Sequence, residues 1–171
     1  MKIAAFDPAS LKNIGWATWD TDTQAYETGT FVIPSMEHNW QVLWPMYQKV
    51  NKLLINKKPQ TVIVEQTSAF RSKKAAFVGG QVSQCMGVIF AACGKNKSEV
   101  SLVFPTSVKK IIAGYGKATK TKMEKSVINI MSNLANEKPS FSSEHACDAL
   151  ANILFWLVKK EIIEIEKDWY V

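Results

Sequence analysis

The sequence predicts an α/β fold in which helices flank a mixed five-stranded sheet. The first 33 residues hold three short apolar runs separated by polar turns, which is typical of an antiparallel meander. The remainder alternates amphipathic helical segments with two further apolar runs, which is typical of parallel strands joined by helical crossovers. No repeat or linker interrupts this order, so we expect residues 1–171 to form a single domain.

Hydrophobic periodicity sets the expected elements. Short apolar runs bounded by turn residues predict five strands, at 2–6, 14–19, 26–33, 61–64 and 100–104. Three- and four-residue apolar spacing predicts helices over 40–55 and 74–92, a short one from Pro105, one capped by Thr119 or Thr121, and one from Ser142-Ser143 to about residue 166. The first three strands are expected to be antiparallel and the last two parallel.

Cysteine usage and the apolar segments favour the cytoplasm. Cys85, Cys93 and Cys147 have no C-x-x-C spacing, which is typical of free thiols in a reducing compartment. Because a charged residue, Asp7, comes after only six positions, no signal peptide is expected at the amino terminus. The longest apolar runs, at 85–94 and 149–158, are shorter than the roughly 20 residues that span a bilayer, so no membrane segment is expected.

The net charge of +6 is concentrated in the middle of the sequence. Residues 71–125 carry 11 basic side chains against only two acidic ones, and segregated charge attracts polyanions. Lysines also solvate helix faces, but this stretch directly follows an acidic strand end, which favours nucleic acid as the partner. Contacts with phosphates are expected from Arg71, Lys73, Lys74, Lys110, Lys117 and Lys122.

Phe70 lies beside these basic residues, in the pattern of surfaces that stack on bases while holding the backbone. The alternative is that a loop phenylalanine tucks under its own helix. The segment GYGKATK at 114–120 also has two interpretations. It is either a phosphate-binding loop or a turn between helices.

Three carboxylates adjoin apolar sequence and are candidates for a metal site. Asp7 and Glu65 each end an apolar strand, and Asp148 lies in the first turns of an apolar helix. Buried carboxylates need a compensating charge, and a hard cation such as Mg²⁺ takes oxygen ligands. Two such ions about 4 Å apart catalyse phosphodiester hydrolysis. Any one carboxylate alone is more typical of a turn residue or a helix cap than of a metal site, so the prediction depends on the three together.

His145 and Glu144 precede Asp148 by three and four residues, so they share its helix face. We expect His145 to complete the metal site. Glu144 is the weaker candidate ligand, because an acidic residue in this position also stabilises a helix amino terminus.

Four segments together resemble the RuvC family of Holliday-junction resolvases. They are FDPASLKNIGWA at 6–17, VIVEQTSAF at 62–70, FPTSVKKIIAGYGKATKTKM at 104–123 and SEHACDALANIL at 143–154. The third is the most specific, because its proline, Val-Lys pair, Gly-x-Gly and later lysines recur at the family's spacing.

This resemblance implies an RNase H-like fold and a homodimer that makes paired nicks in a four-way junction with Mg²⁺ or Mn²⁺. Asp7, Glu65 and Asp148 match the catalytic carboxylates, and His145 matches a position that holds Asp or His in relatives. The resemblance also implies that Lys109 and Lys120 lie near the scissile phosphate and that the helix over 74–92 mediates dimerisation.

The first motif departs from the family pattern. Ala9 replaces the usual glycine, and the motif is one residue longer before Gly15. The aromatic residue expected near the junction centre lies closer to the catalytic glutamate than Phe70 does. Such departures are typical of a distant branch, such as a phage or viral one acting in the host cytoplasm.

Three other functions compete with junction cleavage. An RNase H-type nuclease would share the fold but cut RNA–DNA hybrids, and a junction-binding protein would use the same surface without catalysis. An actin-like phosphotransferase also has strand-end aspartates, but it needs more than 171 residues for its two domains. The sequence lacks both the G-x-S-x-G motif of serine hydrolases and the P-loop motif.

Overall fold

The computed structural model describes residues 1–66, 73–166 and 169, with side chains throughout except at residues 73–78. The five strands are β1 Lys2–Asp7, β2 Asn13–Asp20, β3 Tyr26–Val32, β4 Thr61–Glu65 and β5 Glu99–Val103. The five α-helices are α1 Leu43–Lys57, α2 Lys73–Asn96, α3 Pro105–Ile112, α4 Lys120–Ala135 and α5 Glu144–Lys159. A 3-10 turn at Asn39–Val42 leads into α1.

The strands form one sheet in the order β3-β2-β1-β4-β5. β1, β2 and β3 are antiparallel neighbours, whereas β4 runs parallel to both β1 and β5. This arrangement confirms the predicted mixed sheet of three antiparallel and two parallel strands. The carboxyl ends of β1 and β4 consequently lie side by side in the middle of the sheet.

Helices cover the two faces of the sheet, and alternation along β1 assigns each side chain to one face. Ile3 and Ala5 pack with α3, α4 and α5, whereas Ala4 and Phe6 pack with α1 and α2. Since successive strand residues point to opposite faces, Asp7 belongs to the α5 face. The same alternation on β4 places Glu65 there too, because Ile63 packs on the α5 side.

The end of α5 differs from the prediction. The helix stops at Lys159 instead of continuing to about 166, because Glu161 adopts a left-handed conformation at φ 57°. The Ile162 N–H then donates to the Leu157 carbonyl at 2.9 Å, which closes the helix with a Schellman-type cap. Apolar residues continue in the sequence beyond this point. Ile163 and Ile165 among them pack onto the core, but they are not helical.

The start of α4 decides between the two predicted caps. The Thr119 hydroxyl accepts a hydrogen bond from the Lys122 backbone N–H at 3.2 Å, so Thr119 is the cap and Thr121 lies inside the helix. Across the described parts of the chain, no helix is both long enough and apolar enough to cross a membrane.

Candidate active site

The sheet brings the first two candidate carboxylates together. Phe6 on β1 pairs with Val64 on β4, so Asp7 and Glu65 are the next residues of two adjacent parallel strands. Asp7 is buried, with 7% of its surface exposed. Strand pairing and alternation therefore place both carboxylates at the same end of the sheet and on the same face.

Helix α5 contributes the remaining acidic and imidazole groups from above that face. Ser143 caps the helix, because its hydroxyl accepts from the Ala146 N–H at 3.2 Å. The same hydroxyl lies 2.5 Å from the Thr30 hydroxyl on β3, which ties the first turn of α5 to the sheet. These bonds fix the height and rotation at which His145 and Asp148 face the strands.

Gly15 permits the close approach of α5 to the sheet. It lies opposite Asp7 in the β1–β2 ladder. A Cβ atom at this position would lie 1.9 Å from the His145 carbonyl oxygen and 2.2 Å from its carbonyl carbon. Since these are backbone atoms at the start of a packed helix, only glycine allows the observed arrangement.

We expect Gly15→Ala to displace the first turn of α5 and to destabilise the folded protein. Overpacking of this kind costs about 1 to 3 kcal/mol, measurable by chemical denaturation. Gly94→Ala on α2 is the matched control, because its Cβ meets nothing within 4 Å and helix propensity favours alanine. Normal stability of Gly15→Ala would contradict this account of the close approach.

The candidate side chains converge on one cleft of about 240 Å³. Six of its lining residues are sequence-predicted site residues: Asp7, Glu65, Lys109, Lys120, His145 and Asp148. One ligand atom from each of Asp7, His145 and Asp148 lies within 4.8 Å of the others. Glu65 lines the same cleft but lies outside that tight group.

His145 is held directly by Asp7. Its Nδ1 atom lies 2.8 Å from Asp7 Oδ2. This hydrogen bond is the main reason that the pKa of His145 is raised, because it favours the protonated ring. The imidazolium thus balances part of the negative charge at the centre of the cleft.

The two other carboxyls resist ionisation. Burial, together with the charges of Asp7 and Asp148, raises the pKa of Glu65 to about 8. Burial and the charge of Asp7 raise the pKa of Asp148 to about 6. The Asn152 amide and the Lys109 charge oppose the shift at Glu65 but do not cancel it. Both carboxyls are therefore protonated at a higher pH than an exposed carboxyl would be.

Lys120 pairs with Glu144 at the mouth of the cleft, and both side chains are largely exposed. The hydrogen bond to Glu144 raises the pKa of Lys120. Glu144 lies outside the tight group of potential metal ligands and 3.8 Å from His145 Nε2. Its position is that of a partner for the two cationic side chains.

The other predicted nucleic-acid contacts are dispersed around this cleft. Lys110 and Lys117 are exposed and Lys122 is half-buried, and none of the three lines the cleft. Phe70 and Arg71 lie outside the described residues. Lys73 and Lys74 begin α2, but their side chains also lie outside the described part.

Two contributors to the site were missed by sequence reasoning. Gly15 belongs to the first motif, but its close approach to the His145 carbonyl joins residues that are 130 positions apart in the sequence. Asn152, one turn beyond Asp148, is fully buried at the Glu65 end of the cleft. The sequence feature that could have indicated Asn152 is its position as the polar residue within the apolar run ALANILFWL.

Comparison with known proteins gives a consistent family match. A family model described as "Crossover junction endodeoxyribonuclease RuvC" matches residues 6–155. A relative of that name from Dictyoglomus thermophilum is 29% identical over 166 residues, which cover 94% of this chain and 99% of the relative. Another, from Natranaerobius thermophilus, is 35% identical over 106 residues, or 62% of each chain.

Solved structures share the fold. Thermus thermophilus RuvC in complex with a Holliday junction substrate aligns with a TM-score of 0.74 at 20% identity, covering 95% of this chain and 96% of that one. The yeast mitochondrial Holliday junction resolvase aligns with a TM-score of 0.63 at 9% identity, covering 91% and 78%. These matches confirm the RNase H-like fold that the sequence resemblance implied.

Proposed function

This chain belongs to the RuvC family, and we propose that it resolves Holliday junctions or other branched DNA by paired, metal-dependent hydrolysis of phosphodiesters. The observation that carries the proposal is the cleft in which Asp7, Glu65 and Asp148 converge beside His145. Two lysines, Lys109 and Lys120, line the same cleft and suit a phosphate. An acidic centre with a basic rim suits a metal-assisted nuclease.

The donor set fits a hard divalent cation. Asp7, Asp148 and His145 offer two carboxylates and an imidazole within 4.8 Å of one another, and the Glu65 carboxyl lines the same cleft. These three residues would hold one Mg²⁺ or Mn²⁺ ion, and Glu65, on the strand next to Asp7, would hold a second. Such ions supply Lewis-acid activation of water and neutralise charge on the phosphate.

The protein's own groups prepare the cleft for the reaction. Asp7 orients His145 through the Nδ1 hydrogen bond, and binding of a cation at these ligands would release the imidazole proton. Lys109 and Lys120 line the same cleft, where they would donate hydrogen bonds to phosphate oxygens and stabilise the charge that develops there. Ser143 and Gly15 hold α5 at the distance that this arrangement needs.

We further propose that the active form is a cytoplasmic homodimer, because one cleft cannot cut two strands symmetrically at once. Val100 and Leu102 on the edge strand β5 are exposed, and their pairing with Val62 and Val64 puts them on the α1 and α2 face of the sheet. Val100 and Leu102 therefore form an exposed apolar surface on the same face as α2, the helix that we propose to mediate dimerisation. Light scattering should report twice the mass of one chain.

A substrate panel tests the proposed activity. We expect a four-way junction to be nicked at least about tenfold faster than linear duplex of the same sequence at equal concentration. Equal rates would rule out structure selectivity. Faster cleavage of an RNA–DNA hybrid would indicate an RNase H-type enzyme, and metal-independent junction binding without nicking would indicate a non-catalytic binding protein.

A further inference from the structure

Asn152 is a polar side chain in an apolar environment. It is fully buried in α5, and neither its amide nitrogen nor its amide oxygen has a hydrogen-bond partner. Among the described residues, Ser126 on α4 is the other one with a buried side-chain polar atom left without a partner. Such groups are costly in a folded protein, so each calls for a physical explanation.

The position of Asn152 relates it to the acidic cleft. It follows Asp148 by four residues, so both project from the same face of α5. That helix packs on β1 and β4, the strands that end in Asp7 and Glu65. The Asn152 amide is near enough to the Glu65 carboxyl to oppose the rise in its pKa, although no hydrogen bond joins the two side chains.

We propose that Asn152 is a positioning residue for Glu65: its amide N–H donates to one carboxylate oxygen and directs the other towards a divalent cation. This inference rests on the proposed function, since it takes Glu65 as a metal ligand. The amide has no partner in the present geometry, and the proposed bond would form when the Glu65 carboxylate turns towards a cation. Partners that orient metal ligands in this way typically change affinity by 10- to 100-fold.

The residue type supports this role. The neighbours Ala151, Ile153 and Leu154 are all buried and apolar, so an aliphatic residue at 152 would fit the composition of the core. An aliphatic residue would also remove the buried amide with no partner to satisfy. Stability alone therefore disfavours asparagine here, whereas orientation of a buried carboxylate requires an N–H donor at this place.

Asn152→Leu separates the two roles, and Ser126→Ala is its matched control. Thermal stability in chelator should be unchanged or higher for both variants, because each loses a buried unsatisfied group. The Mn²⁺ dissociation constant, measured by calorimetry without DNA, should rise about 10- to 100-fold in Asn152→Leu and stay unchanged in Ser126→Ala. Asn152→Ala, which introduces no additional bulk, should weaken Mn²⁺ binding similarly if leucine prevents folding.

A double variant shows whether the effect passes through Glu65. In a Glu65→Gln background, Asn152→Leu should produce no further loss of Mn²⁺ affinity. Wild-type affinity in Asn152→Leu, or an equal loss with and without Glu65, would overturn the inference while leaving the metal site in place. Absence of Mn²⁺ binding to the wild-type protein would instead overturn the proposed site and, with it, the role of Asn152.

Discussion

Asp7→Asn should lower the rate of junction cleavage by on the order of 1000-fold or more while the protein remains folded. Asp7 lies between the other site groups: its Oδ2 accepts from His145, and its charge acts on both Glu65 and Asp148. Asparagine keeps the shape but loses the charge and one acceptor oxygen. It therefore weakens cation binding and releases His145 from its orientation.

Single-turnover cleavage with saturating enzyme measures this effect, because it separates the chemical step from junction binding. Asp22→Asn is the matched control: it removes an exposed carboxylate in the β2–β3 turn, at the opposite end of the sheet. We expect the control to cut at the wild-type rate and Asp7→Asn still to bind the junction. Substantial cleavage by Asp7→Asn would exclude Asp7 from the site.

Glu65→Gln should remove cleavage and, in chelator, raise the free energy of unfolding at pH 8 by about 2 to 4 kcal/mol. The folded-state pKa of Glu65 is about 8, above the ordinary value of 4.5, mainly because the carboxyl is buried. Between these values the folded state binds more protons than the unfolded state. The contribution of Glu65 to wild-type stability is therefore greatest below pH 4.5 and is lost as the pH rises to about 8.

Glutamine carries no charge at any of these pH values. The free energy of unfolding of the variant therefore does not fall through ionisation of residue 65. The difference between variant and wild type should shrink as pH falls towards 4.5, in denaturation curves recorded at several pH values. Mn²⁺ at pH 8 should stabilise the wild type more than the variant. Glu99→Gln, at an exposed position on neighbouring β5, serves as the control. A pH-independent difference would contradict a strongly raised pKa at Glu65.

The sequence predicts the sheet and two of its acidic residues because both depend on local patterns. KIAAF before Asp7 and TVIV before Glu65 are short apolar runs, and the parallel crossover that follows from an intervening helix puts their carboxyl ends together. Asp148 follows from its place in an amphipathic helix. Strand alternation then suffices to direct these side chains to one face.

Contacts between distant segments are not encoded in such patterns. The fit of Gly15 against the His145 carbonyl depends on how closely α5 settles on β2, and the pairing of Lys120 with Glu144 depends on the approach of α4 to α5. The early end of α5 has a similar origin, because the left-handed Glu161 interrupts a periodicity that continues beyond it. Tertiary packing decides each of these features.

Junction cleavage before and after removal of divalent ions tests the acidic cleft most directly. We predict that protein dialysed against chelator leaves a four-way junction intact, and that added Mg²⁺ or Mn²⁺ restores paired nicks at symmetric positions. The same additions should restore nothing in Asp7→Asn. Two results would contradict a metal-dependent nuclease site formed by Asp7, Glu65, His145 and Asp148: cleavage that persists in chelator, or no cleavage after both Mg²⁺ and Mn²⁺ have been tried.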